Sequence, residues 1–377
     1  MKNPIRFRSA FVGAVAVALL TAACGGTEET AAPEPAPAPA PADTADAAEA
    51  DVDDADETGP TECVPADPAV PVSFQLNWTA GGYNSGFALA LQEGWYRDVG
   101  LNVTIVKGPG SGTTAQLVAT GQAALAYADA SAVMQTIAQG ADVTVLSTMY
   151  QSSPNAINSL AGSGIESIAD LKGKNLGEPT GGSGTPLLPL LFEANGLTLD
   201  DVNRVPMPNQ SLVPALVSGQ VDAIVGSTEG FNLILEEQGY EVIVLPYADW
   251  GVPTVSTSIF ASNSFLETNA NTVRCFIQAS LKGWDEAIKD PDGAIEALVT
   301  TFPTDTEPTL NRRQLDSAIS LFCTGGAKFV GKAEPEHWEQ SVVIAQDYFD
   351  LSKDVPATAY YSYDYLPAEL PTSCPLS

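Results

Sequence analysis

Hydrophobic and polar positions alternate most clearly around residue 70, where every second side chain over nine residues is apolar. These apolar positions are Val70, Val72, Phe74, Leu76 and Trp78. They share one face of a strand, because successive side chains of a strand point to opposite faces. Short apolar runs follow at 103–106, 124–127 and 143–149, separated by helical stretches. Strands that alternate with helices predict crossover units and a mostly parallel sheet flanked by helices.

The pattern repeats in the second half of the chain. A Leu-Val-Ala-Thr-Gly-Gln run at 117–122 precedes one strand, and a Leu-Val-Ser-Gly-Gln run at 216–220 precedes another. In each run the glycine fits the left-handed residue that ends a helix before the chain enters a sheet. Gly-rich loops at 108–112 and 181–184 also correspond to each other. We interpret this as one α/β lobe design used twice.

Helices replace strands beyond Asn263. Apolar positions at 270–289 fall on one helical face, and further helices are predicted at 312–322 and 335–349. The roughly 310 residues that follow the predicted tether exceed the size at which single cores stop growing, so we predict two lobes. The predicted boundaries are 67–161 and 254–377 for the first lobe and 162–253 for the second.

The N-terminus is typical of an exported protein. A basic start precedes an apolar run at 11–20, which is too short to span a bilayer as a permanent helix. The run ends in Thr-Ala-Ala-Cys, which resembles a bacterial lipobox, although leucine is preferred at the position of Thr21. The alternative is a secretory signal with an incidental cysteine. We predict a signal peptide at 1–23 and a lipid on Cys24 that anchors the protein to the outer face of the cell membrane.

The segment after Cys24 is predicted to be a disordered tether as far as residue 66. Between residues 25 and 62 it contains no basic and no aromatic residue, so it cannot bury enough apolar surface to offset its ordering entropy. The whole chain has 16 basic and 46 acidic residues and a net charge of −30. Nucleic acid is therefore excluded as a partner.

Four cysteines remain besides Cys24, namely Cys63, Cys275, Cys323 and Cys374. An even number in an exported chain predicts disulfides, and four cysteines allow three pairings. We favour Cys63 with Cys374, which would join the two ends of the fold, and Cys275 with Cys323, which would join two C-terminal helices. The cysteines are too far apart in sequence for a CxxC metal or redox site, and no metal site is predicted.

A family resemblance lies in short motifs whose order is preserved along the chain. The first group is Asn77, Trp78, Gly86, Ala90, Gly94, Gly100, Leu101 and Val103, and later groups are 170–174, Asp222 with Ala223, and 251–253. In these positions the chain resembles solute-binding proteins for thiamine pyrimidine precursors, sulfonates and nitrate. The resemblance implies an α/β, two-lobed type II periplasmic-binding-protein fold with a two-strand hinge. It also implies a monomer that binds a small molecule and delivers it to an ABC permease.

Candidate ligand contacts follow from the expected sheets, because ligands of open α/β sheets bind beyond the carboxyl ends of the strands. The candidates are Trp78, Tyr83, Asn84, Ser111, Thr113, Asp129, Gln151, Gly182, Ser183, Thr185, Glu229 and Trp250. The two Gly-rich loops each open a predicted helix, where free N–H groups favour an electronegative ligand atom. Neither loop has the lysine of a nucleotide-binding loop. The alternative is that these glycines only serve tight turns.

The residue types in these segments favour a flat heteroaromatic ligand. Aromatic side chains can stack on such a ring, and Asp129 and Glu229 can accept hydrogen bonds from amino or ring N–H groups. None of the segments contains the Arg or Lys that a sulfonate or nitrate would favour, Lys107 being the nearest. We therefore expect a thiamine pyrimidine precursor or a flavin-like ring, with an oxyanion as the alternative. Both acids could also be solvated surface residues.

An enzymatic function is the competing interpretation. A eukaryotic group related to the family synthesises the thiamine pyrimidine with a cysteine-rich iron site, a histidine and a pyridoxal-binding lysine. Here His337 is the only histidine, and no cysteine cluster exists in the sequence. A Ser/His/Asp hydrolase would have to use the same histidine. We predict no catalytic residue and no cofactor.

Overall fold

A computed structural model describes residues 62–324, 327–371 and 374. The signal peptide predicted at 1–23, the lipid predicted on Cys24 and most of the predicted tether lie outside these residues. The fold begins before the predicted end of the tether at residue 66. Val64 N–H donates to Asn271 Oδ1 at 2.9 Å, and Asn271 Nδ2 donates back to the Val64 carbonyl at 2.8 Å.

Two five-stranded sheets form the centres of the two lobes. The first contains β1 (Val70–Gln75), β2 (Leu101–Val106), β3 (Leu125–Ala128), β4 (Val143–Thr148) and β10 (Ser258–Ser262). The second contains β5 (Asn155–Leu160), β6 (Asn175–Pro179), β7 (Asn203–Met207), β8 (Ala223–Ser227) and β9 (Val242–Pro246). Their spatial orders are β2-β1-β3-β10-β4 and β7-β6-β8-β5-β9. In each sheet one strand, β10 or β5, is antiparallel to both neighbours. The predicted two-lobed α/β fold is confirmed.

Helices flank both sheets. In the first half they are α1 (Ser85–Gln92), α2 (Trp95–Asp98), α3 (Ser111–Ala119) and α4 (Ala130–Ala138). The second lobe adds α5 (Leu188–Ala194), α6 (Asn209–Val217) and α7 (Phe231–Glu237), and the C-terminal part adds α8 (Asn263–Lys289), α9 (Pro291–Thr301), α10 (Pro308–Phe322) and α11 (Pro335–Tyr348). Non-helical backbone at Asn269 divides α8 just before the helix start predicted at residue 270. Within the described ranges, none of the helices is both long and apolar enough to cross a membrane.

The core of the first lobe explains the alternation of β1. Phe74 is fully buried, and its ring lies 4.9 Å from that of Phe87 in α1 and 4.6 Å from that of Phe276 in α8. The glycines of the two repeated runs also behave as predicted, because Gly121 and Gly219 have φ values of 71° and 72°. Both lobes therefore end a helix with a left-handed glycine before a strand begins.

The lobes are joined by two crossing segments, one between β4 and β5 and one between β9 and β10. These segments pair with each other, since Met149 N–H donates to the Thr257 carbonyl at 2.9 Å and Ser256 N–H donates to the Tyr150 carbonyl at 3.1 Å. The second lobe starts earlier than predicted. Residues 155–160 form β5, which pairs with β8 and β9 of the second sheet, so the boundary predicted at 161/162 lies on the wrong side of this strand.

The predicted disulfide pairing is wrong, although all four cysteines are disulfide-bonded. Cys63 pairs with Cys275 at a Cα–Cα distance of 4.7 Å, and Cys323 pairs with Cys374 at 5.2 Å. The first described residues lie along α8, where Val64 hydrogen-bonds to Asn271, and this brings Cys63 to Cys275. The C-terminal segment instead folds back along the outer edge of β4, where Tyr361 bridges to Val145. Each end of the described part of the chain is thus fastened separately to the first lobe.

Candidate ligand-binding site

A cavity of about 440 Å³ lies between the two lobes, within the size range of small-molecule sites. The first lobe contributes the residues after β1, the start of α3, the start of α4 and the start of α10. The second lobe contributes the residues after β6 and β8 together with the inner face of α7. The cavity therefore lies beyond the carboxyl ends of parallel strands of both sheets, where the sequence predicted a site.

The structure brings seven of the twelve candidate contacts to this cavity. They are Trp78, Tyr83, Ser111, Asp129, Gly182, Ser183 and Glu229. The other five, Asn84, Thr113, Gln151, Thr185 and Trp250, are not among the lining residues.

The five candidates outside the lining contact other parts of the fold. Gln151 donates to the Lys332 carbonyl at 2.9 Å and accepts from Glu334 N–H at 3.2 Å. Trp250 packs in the second lobe, where its carbonyl accepts from Asn195 Nδ2 at 2.9 Å. Asn84 is buried directly ahead of α1, Thr113 lies against Gly181, and Thr185 begins a short helical turn ahead of α5.

The two Gly-rich loops meet each other across the cleft. Gly112 N–H donates to the Gly181 carbonyl at 3.0 Å, and Gly110 has a φ of 138°. A Cβ on Gly110 would lie 2.5 Å from the Gly181 carbonyl oxygen. The N–H of Gly112 is therefore occupied by the other lobe, and these glycines permit a close approach of two backbones. The prediction that both loops offer free N–H groups is wrong at this position.

Glu229 is a buried acid from the second lobe that reaches the first crossing segment. It is 8% exposed and accepts a hydrogen bond from the Tyr150 hydroxyl. Burial raises the pKa of Glu229 to about 8, the Tyr150 hydrogen bond opposes this, and the charge of Asp129 adds to it. At neutral pH the carboxyl group is therefore mostly protonated. It can donate through its O–H and accept through its carbonyl oxygen.

Asp129 lines the same cavity, but its oxygens are occupied by the protein. Ser131 donates to Oδ1 through both its N–H, at 2.8 Å, and its hydroxyl. Oδ2 accepts from the Ser256 hydroxyl at 2.6 Å and from Asn155 Nδ2 at 3.3 Å. A carboxylate offers about four acceptor positions, and Asp129 uses them to cap α4 and to join it to the start of β5 and to the second crossing segment. Glu229 is the acid with more freedom to contact a ligand.

Aromatic rings from both lobes lie beside Glu229. Trp78 from the first lobe meets Phe231 from the second, with ring centroids 6.2 Å apart and planes at 77°. Tyr83 lies on the first-lobe wall, and its hydroxyl donates to the Thr79 carbonyl at 3.3 Å. These rings give the cavity the apolar walls that a planar ligand requires.

Sequence reasoning missed the wall formed by the start of α10. Thr304 to Glu307, Leu310, Asn311 and Gln314 all line the cavity. Gln314 Oε1 accepts from Gly82 N–H at 3.0 Å and from Asn311 Nδ2 at 2.8 Å, so the amide nitrogen of Gln314 is its available group. The polar run between Pro303 and Pro308 was a usable signal for a helix start, but the helix was predicted to begin only at residue 312.

The charge of the lining is one-sided. Asp129, Glu229, Asp305 and Glu307 line the cavity, whereas no lysine or arginine among the described residues does so. Lys107 approaches only as far as Asp305, with which it forms an ion pair at 2.9 Å. An anionic ligand would face these acids without a compensating cation, whereas N–H groups of a ligand would find acceptors.

Comparison with known proteins identifies relatives over most of the folded part. Residues 82–294 match the family described as NMT1/THI5 like. The formylaminopyrimidine-binding protein of Halalkalibacterium halodurans is 25% identical over 302 residues, which cover 75% of this chain and 90% of that protein. A 4-amino-5-hydroxymethyl-2-methylpyrimidine phosphate synthase of Aspergillus parasiticus is 22% identical over 263 residues, covering 67% and 76% of the two chains.

Solved structures share the fold. The alkanesulfonate-binding protein SsuA of Xanthomonas axonopodis, bound to MOPS, superposes with a TM-score of 0.63 at 17% identity. The match covers 79% of this chain and 99% of SsuA. The two-lobed architecture is therefore that of periplasmic binding proteins.

Proposed function

The chain belongs to the NMT1/THI5-like family, and from this we propose that it is an extracytoplasmic solute-binding lipoprotein of an ABC importer. It captures a small heteroaromatic ligand with amino groups, a thiamine pyrimidine precursor or a flavin-like ring, in the cavity between its lobes. The ligand leaves chemically unchanged. The observation that carries the proposal is an interlobe cavity with aromatic walls, four acids and, among the described residues, no basic side chain.

Glu229 explains why an aminopyrimidine suits this cavity. Such a ring places an acceptor nitrogen next to an exocyclic N–H donor, and a protonated carboxyl group places an O–H donor next to a carbonyl acceptor. The two groups can therefore form a pair of parallel hydrogen bonds. Trp78 and Phe231 supply the apolar surface for the ring, and the Gln314 amide offers a donor to a more distant carbonyl or ring nitrogen. The formylaminopyrimidine-binding relative supports this ligand class.

The alternatives fit the lining less well. A sulfonate or nitrate would be desolvated beside Glu229 and Asp305 without an Arg or Lys partner, which is costly. The synthase relatives raise the possibility of an enzyme, but the cavity lining includes no lysine, histidine or cysteine among the described residues. His337 lies in α11 outside the lining, and the four described cysteines are in disulfides.

Binding would proceed through closure of the two lobes about the paired crossing segments. An open form admits the ligand, and a ligand that touches both lobes favours the closed form through its higher affinity for it. The closed protein then docks on a membrane permease. A lipid on Cys24 and the predicted tether would keep the binding protein at a high effective concentration near that permease.

Calorimetric titration of the purified folded part tests the ligand class. The probes are the N-formyl derivative of 4-amino-5-aminomethyl-2-methylpyrimidine, riboflavin, methanesulfonate and nitrate. We expect binding of one of the two heteroaromatic probes and none of the two anions. Tight binding of an anion, with no response to either ring, would refute the proposed ligand class. Recovery of a chemically altered ring by chromatography would refute a binding function without catalysis.

A further inference from the structure

We propose that Arg313 is a positioning residue for the cleft, because its ion pairs with Glu236 and Glu237 hold the two lobes together. This inference rests on the proposed two-lobed binding function, but it does not depend on the identity of the ligand. The ion pairs make lobe closure sensitive to ionic strength, and they give a conformational role to an arginine outside the cavity lining.

The ion pairs connect helices of different lobes. Arg313 lies on α10 of the first lobe, and the two glutamates are neighbours on α7 of the second. Arg313 Nη1 lies 2.8 Å from Glu237 Oε1, and Nη2 contacts Glu236 Oε2. One guanidinium group thus engages two carboxylates at once. The side chains are about one-third exposed, at 37% for Arg313, 35% for Glu236 and 37% for Glu237.

The same two helices form walls of the cavity. Leu310 and Gln314 on α10 line it from the first lobe, and Phe231 and Ile234 on α7 line it from the second. A third contact joins the helices close by, because the Ser317 hydroxyl donates to the Thr228 carbonyl at 3.2 Å. Separation of α10 from α7 would therefore open the cavity and break the Arg313 ion pairs in one movement.

An ion pair within one lobe is kept when the lobes separate, whereas the Arg313 pairs are lost. Only the latter can change the ratio of closed to open molecules. Exposed ion pairs are individually weak, and two of them on one arginine should change this ratio by about three-fold to ten-fold. Salt should reduce their effect, because the screening length falls from about 30 Å at 0.01 M to about 3 Å at 1 M ionic strength.

The neighbouring residue Arg312 provides a matched control. It carries the same charge on the same helix with a similar exposure of 39%, but it pairs with Asp292 and Asp316, which both belong to the first lobe. Arg312→Ala therefore removes an arginine side chain from the same helix without removing a contact between the lobes.

Small-angle X-ray scattering of the folded part without added ligand, at about 20 mM and about 500 mM NaCl, tests the proposal. We expect the radius of gyration of the wild type and of Arg312→Ala to rise with salt. Arg313→Ala should already have the larger radius at low salt and change little further. Combining Arg313→Glu with Glu236→Arg and Glu237→Arg should restore the compact, salt-sensitive form.

Two results would overturn the proposal. One is identical scattering of Arg313→Ala and Arg312→Ala at both salt concentrations. The other is a wild type that is already open at low salt, because no closed population would then exist for the ion pairs to hold. The wild-type salt series needs no variant, so it decides the second result even if a substitution impairs folding. Neither result bears on the calorimetric titrations, so failure here is distinguishable from failure of the proposed function.

Discussion

Replacing Glu229 by glutamine should change how the stability of the protein depends on pH. In the folded protein burial raises the pKa of this carboxyl to about 8, whereas an unburied glutamate has a value of 4.5. Below pH 4.5 both the folded and the unfolded chain carry the proton. As the pH rises from there towards 8, the unfolded chain loses the proton while the folded chain retains it. The stability that Glu229 contributes is therefore present at low pH and lost as the pH rises.

The size of the effect follows from the two pKa values. Each pH unit between them lowers the free energy of unfolding by up to about 1.4 kcal/mol. From about pH 5 to about pH 7 the wild type should lose about 2 to 3 kcal/mol relative to Glu229→Gln, which keeps a neutral side chain throughout. Histidine titration adds little to the pH dependence in this range, because His337 is the only histidine in the chain.

Urea unfolding followed by tryptophan fluorescence at both pH values measures this difference. Glu307→Gln is the matched control, since Glu307 also lines the cavity but hydrogen bonds from backbone N–H groups, first of all that of Leu310, lower its pKa. This control should be slightly less stable than the wild type by a similar amount at both pH values, because it removes the negative charge of the residue that caps α10, while the amide oxygen can still accept from Leu310 N–H. Parallel pH dependence of the wild type and Glu229→Gln would refute a buried, neutral Glu229.

Three further predictions concern separate parts of the molecule. Trp78→Ala should weaken binding of the heteroaromatic probe by about ten-fold, or 1.4 kcal/mol, and an unchanged calorimetric affinity would remove Trp78 from the site. Replacing Cys323 and Cys374 by serine should lower the free energy of unfolding by about 2 to 4 kcal/mol, and non-reducing peptide mapping of the wild type that returned Cys63 joined to Cys374 would contradict the pairing itself. Cys24→Ala should release the exported protein from membranes, so equal membrane fractions of this variant and the wild type would argue against a lipid on Cys24.

The elements that the sequence predicted correctly are those whose signal lies within a few consecutive residues. The alternation that ends at Trp78 reports a strand with one buried face, and the glycines at 121 and 219 report helix ends with a left-handed residue. Both signals come from a few neighbouring residues. The match to the family then supplied the arrangement of the two lobes, which no short segment encodes.

The features that sequence missed depend on contacts between distant segments. Cys374 reaches Cys323 because the tail folds back along β4, and Gln314 reaches the cavity because α10 packs beside the turn at Gly82. Trp250 follows a strand as Trp78 does, yet it packs within the second lobe. Position after a strand therefore identified some residues that line the cavity and some that do not. Which of them line it depends on how separate helices pack.

The attachment of Cys63 to α8 determines which lobe is connected to the segment that precedes the described residues. The disulfide and the Val64–Asn271 hydrogen bonds fasten the start of the described chain to the first lobe. Tension applied ahead of Glu62 would therefore end in that lobe and would not cross the hinge. If the chain is anchored as proposed, the tether joins the first lobe directly, and the second lobe, which carries Glu229, is connected to the anchor only through the two crossing segments.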